Sequence, residues 1–70
     1  MSALDKALFT AHATGDHEAL IGLYTQAADQ AGNHDAACFY LTHAYIFALE
    51  RGDSRATDLH DRLKSAGREE

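Results

Sequence analysis

The chain has 70 residues, one cysteine, no proline, no tryptophan and no valine, and its formal net charge is −5. That length holds one domain, and a single cysteine excludes an internal disulfide. Sparse β-branched residues disfavour a sheet, no apolar run reaches the length of a membrane span, and an acidic chain lacks the basic stripe that a phosphate backbone requires.

Residues 2–14 predict the first helix. Ser2 is placed to cap it, Asp5 falls in its first turn, and Leu4, Ala7, Leu8 and Ala11 form a stripe at i, i+3, i+4, i+7. Thr14-Gly15-Asp16 follows, a glycine to end one helix in the left-handed conformation and an aspartate to cap the next. Residues 17–31 predict a second, amphipathic helix with Ala19, Leu20, Leu23, Tyr24, Ala27 and Ala31 on its buried side. Gly32-Asn33 and Gly52-Asp53 repeat the same turn grammar.

Residues 34–51, between those two turns, predict a third helix of a different kind. Cys38, Leu41, Tyr45, Ala48 and Leu49 make one apolar stripe; Phe39, Ile46 and Phe47 make another, with Tyr40 and Ala44 between them. Apolar side chains nearly encircle it, and three other short helices cannot cover all of them, so part of this helix is expected to meet something outside the monomer. Residues 54–66 predict a fourth helix with Ala56, Leu59, Leu63 and Ala66 inward and Asp58 and Arg62 paired four apart outside. Gly67 ends it, and Arg68, Glu69 and Glu70 read as a solvated end.

Charge is unevenly placed. Residues 1–50 hold one base, Lys6, against six acids, whereas residues 51–70 balance five against five. The opening residues Met1 to Lys6 show no signal-peptide pattern, and a free Cys38 suits a reducing compartment, so a cytoplasmic location is expected.

Gly15-Asp16 and Gly52-Asp53 recur 37 residues apart, and Cys38, Leu41 and Tyr45 partly match an aromatic-x-x-Leu-x-x-x-Tyr spacing. In these features the chain resembles the tetratricopeptide repeat, a helix-turn-helix unit of about 34 residues. Cys38 stands where that family prefers tryptophan and Thr42 where it prefers glycine, the second turn comes about three residues late, and no closing proline follows. The resemblance implies a protein-interaction module and carries over no catalytic residue.

Five histidines raise the question of a metal. His34 and Cys38, four apart, share a helix face as a possible ligand pair, but the remaining histidines are expected to be spread through the fold. His12, Asp16 and His17 gather at the first turn, where Asp16 reads more simply as a helix cap than as part of an acid–base set. Cys38, among Ala36, Ala37, Phe39 and Leu41, reads as a small buried hydrophobe.

The sequence thus predicts one all-helical domain over residues 1–70, with four short antiparallel helices forming two hairpins, either as a repeat-like stack or as a small bundle. The expected function is protein–protein interaction without catalysis or cofactor. The expected docking residues are Phe39, Tyr40, His43, Ile46 and Phe47, binding a second copy in a homo-oligomer or another protein. The alternative is a helical protein that binds a small ligand or a metal through His34 and Cys38. Nucleic acid and membrane are not expected partners.

Overall fold

Polar caps and left-handed glycines set the limits of the helices in the computed structural model, which describes residues 2–67. Ser2 closes a capping box at the start of α1 (Ala3–Thr14): its hydroxyl accepts from the Asp5 amide at 3.1 Å, and the Asp5 carboxylate accepts from the Ser2 amide at 3.4 Å. Gly15, at φ +68°, ends α1 and lets Asp16 cap α2 (His17–Gln30) by accepting from the Ala19 amide. Asn33 caps α3 (His34–Arg51) at 2.8 Å from the Ala36 amide, and Gly52, at φ +67°, ends it.

Two turns depart from the shared grammar. Gly32 is not left-handed; α2 ends instead at Ala31 in an extended conformation. At the last turn α4 (Arg55–Ser65) starts one residue later than an Asp53 cap implies. Asp53 accepts from the Arg55 amide at 2.9 Å and also from the Arg55 guanidinium at 3.0 and 2.9 Å. The aspartate therefore holds the start of α4 by a short turn and an ion pair together. The solvated end expected at residues 68–70 lies outside the described residues.

The four helices pack antiparallel in chain order: α1 on α2, α2 on α3, α3 on α4, with no other backbone contact between helices among the described residues. The Cα trace spans 32 × 29 × 11 Å, a single layer of helices with two broad faces. Its core joins Ile21 and Ala28 of α2, Leu41, Ala44 and Ala48 of α3, and Leu59 and Leu63 of α4. Alanines at 28, 44 and 48 let the helix axes approach, while each buried Ile or Leu contributes about 1.5–3 kcal/mol.

Two helices are central, not one. Besides the expected stripe, α2 buries Ile21 and Ala28 against α3. Leu20 and Ala27 lie on another flank by helical register and are buried as well, and α1, which packs on α2, buries Ala11. None of the four helices is long and apolar enough to cross a membrane.

Candidate functional site: an aromatic and imidazole face

The two faces of the layer differ in chemistry. On one, α2 offers Glu18, Gly22 and Asp29, and arginines from the later elements reach across to it. Arg51 pairs with Glu18 at 3.3 Å, Arg62 pairs with Asp29 at 2.6 Å, and the Arg55 guanidinium lies over Gly22. By register, Tyr24 and His17 stand on the opposite side of α2. There they meet rings from α1 and α3.

Tyr24 is the hub. It stacks on His43 at 5.1 Å and on Phe47 at 6.0 Å between centroids, and approaches Tyr40 at 6.2 Å. His12 of α1 shares a 2.8 Å hydrogen bond with the Tyr24 hydroxyl and meets Phe47 edge-on. His17 packs on Phe47 at 5.2 Å. Phe39 extends the cluster outward, 4.4 Å from the His43 ring and 5.6 Å from Tyr40. Burial, and after it the neighbouring Tyr40 phenol, pushes Tyr24 above its ordinary value, so it keeps its proton at neutral pH.

The five expected docking residues divide by burial. Phe39 is 57% exposed and Ile46 47%. Tyr40 and Phe47 are half-buried against the core, and His43 is half-buried with its Nδ1–H donating to the Phe39 carbonyl at 2.9 Å. Phe39, Tyr40, His43 and Phe47 are brought together; Ile46 lies beside them by register without a ring contact. Leu49, 54% exposed, continues the surplus apolar surface of α3 on another side.

Three of the histidines expected to be scattered are gathered here. The spacing of Phe39, His43 and Phe47 was readable along α3, but the arrival of His12, His17 and Tyr24 depends on how α1 and α2 pack. The only advance signal was that His12 and His17 fall outside their own helices' apolar stripes, while Tyr24 was read as part of the buried side of α2.

The other candidate pair is also in contact. Cys38 is 4% exposed, and its sulfur lies 3.6 Å from His34 Nε2. Among the described residues no group of three or more His, Cys, Asp or Glu is placed to hold a metal ion. Asp16 is engaged as the cap of α2, and His60 packs against Tyr45 at 5.7 Å between centroids.

No protein-family model, no curated protein and no solved structure matches this chain.

Proposed function

We propose that this protein is a small interaction module that docks another protein surface, a second copy or a different chain, on the aromatic face of α3. The observation that carries the reading is the exposure of Phe39 and Ile46 beside a layer of stacked rings that is itself only half covered. Contiguous exposed apolar surface of this kind is uncommon on isolated small domains and marks contact sites. Aromatic side chains, rigid and large, are the usual anchors of such contacts. The hairpin-repeat resemblance of the sequence implies the same role, since members of that family present surfaces to other proteins.

Site-specific photo-crosslinking tests this reading. A photoreactive residue placed at Phe39, in the native cell, is expected to give one discrete adduct. The same residue at Asp58, exposed on α4, is expected to give none. The mass of the adduct tells a second copy from another chain. Equal labelling at both positions, or none at either, would contradict the reading.

A further inference from the structure

We propose that α1 is an exchangeable arm. It leaves its own α2 by rotation about Gly15 and seats on the α2 of a second copy, which gives its own α1 in return, so that two chains form an arm-swapped dimer. The exchange uses a flank of α2 and not the exposed row of α3, so it stands or falls apart from the docking reading.

The two end helices of the layer are held unequally. α4 buries Leu59 and Leu63 in the core, and its start is clamped by the three hydrogen bonds that Asp53 accepts from Arg55. Arg62 then reaches past α3 to Asp29 of α2 at 2.6 Å. α1 has no fastening of that kind. Its backbone meets α2 alone, Ala11 is its one buried residue, and Leu4, Ala7 and Leu8 are half-buried. Its ring and polar links to the other helices run through His12, which meets Tyr24 and Phe47. Beside that seam, Thr10 and Thr14 of α1 and Ala19 and Leu23 of α2 line an open hollow of about 380 Å³. An end helix with so little buried surface opens more readily than one anchored by two leucines.

The turn supplies a hinge of one residue. Gly15 sits at φ +68°, with open space where a Cβ would point. On one side the Thr14 hydroxyl donates back to the Thr10 carbonyl at 3.0 Å, and on the other Asp16 caps α2 at the Ala19 amide. Each flank is thereby fastened to its own helix, which leaves Gly15 to absorb the change in dihedrals. Opening gives up the bond across the turn, from the Asp16 amide to the Ala11 carbonyl at 2.9 Å.

The occupant of the vacated flank follows from what already lies on it. A second copy brings an identical α1 to an identical α2, so the packing of the closed chain recurs between chains. The balance is then set by the hinge and by chain concentration. The exchange also divides the ring cluster between copies: the imidazole that bonds Tyr24 comes from His12 of the second copy.

The test compares Gly15→Ala, Gly52→Ala and the unchanged chain. A Cβ disfavours the left-handed conformation by about fivefold or more, and a swapped dimer opens two such turns, so Gly15→Ala is expected to raise the dimerisation constant about 25-fold or more in light scattering. Gly52→Ala, at φ +67°, is expected to leave that constant unchanged, because Asp53 and Arg62 hold α4 in place. In a dimer made from equal parts of isotope-labelled and unlabelled Gly15→Ala chains, isotope-filtered NMR is expected to show the His12 and Tyr24 rings in contact between chains. Should that variant fail to fold, the unchanged chain decides: warmed through its melting at millimolar concentration and cooled with the same isotope mixture, it is expected to give a dimer fraction with the same contact. A folded Gly15→Ala chain that stays monomeric at millimolar concentration would overturn the proposal. So would a dimer whose His12–Tyr24 contacts all lie within one chain, an equal gain from Gly52→Ala, or an unchanged chain that returns from melting as monomer alone where the variant does not fold.

Discussion

His12 Nε2 and the Tyr24 hydroxyl lie 2.8 Å apart, and this hydrogen bond ties α1 into the ring cluster that Tyr24 shares with α3. Tyr24 keeps its proton, so its hydroxyl can donate to the ring nitrogen or accept from it, according to the tautomer of His12. Tyr24→Phe removes the bond and spares the stacking. Its expected cost is about 1 kcal/mol in urea unfolding followed by circular dichroism. Tyr24→Ala removes the stacking as well and is expected to cost about 3 kcal/mol or more. Combined with His12→Ala, Tyr24→Phe should show non-additivity, since both delete one contact.

The core and the docking row are expected to separate cleanly under mutation. Ile21 and Leu63 are nearly inaccessible, so Ile21→Ala or Leu63→Ala should cost about 2–5 kcal/mol, enough to unfold a large share of so small a domain at 37 °C. Phe39→Ser and Ile46→Ser are expected to change stability by about 0.5 kcal/mol or less, because those side chains already face solvent. Thermal melts of the four variants check this.

The glycines answer differently from one another. Gly52→Ala forces a Cβ into φ +67° and is expected to destabilise by about 1 kcal/mol. Gly32→Ala is expected to be neutral or slightly stabilising, since Gly32 is not left-handed and a Cβ there meets open space. Gly22 lies inside α2, and a Cβ there makes an ordinary 3.7 Å contact with the Arg55 guanidinium. Gly22→Ala should therefore stabilise by about 0.5–1 kcal/mol. Denaturant midpoints of the three variants provide the comparison.

Asp53 sets an acid dependence. Hydrogen bonds from the Arg55 side chain, then from its amide, hold the Asp53 carboxyl well below the usual carboxylate range, and the charges of Arg55 and Arg51 add to this. Its folded value lies below its unfolded one, so its contribution is complete above about pH 4 and is lost as the pH falls from there toward the folded value. Asp53→Asn keeps an acceptor for the Arg55 amide but removes the charge. Unfolding curves at neutral pH and near pH 3 should differ less in that variant than in the wild type.

Much of the architecture was legible in the sequence because caps and helix stops are local. Asn33 and Gly52 bracket α3 at the expected residues, and Ser2 and Asp16 cap as expected. The turn at Gly32 was misread because the same dipeptide chemistry serves an extended helix end as well as a left-handed one. Ile21 and Ala28 were missed because a single stripe search finds one face, whereas α2 is packed on two sides. Phe39, Tyr40, His43, Ile46 and Phe47 were legible as surplus on α3. Their meeting with His12, His17 and Tyr24 was not, since no spacing along one helix records which rings its neighbours bring.

The central claim is that the α3 row of Phe39, His43 and Ile46, with the rings beside it, is a docking surface. Its most direct test is a proton–nitrogen NMR titration of the labelled chain with the protein captured by crosslinking at position 39, or with the unlabelled chain where the adduct is a second copy. The account predicts shifts concentrated at Phe39, His43 and Ile46, extending to Tyr24 and His12 through the ring cluster, with Glu18, Asp29 and Arg62 on the opposite face unmoved. Shifts centred on that opposite face, or none at all at saturation, would contradict it.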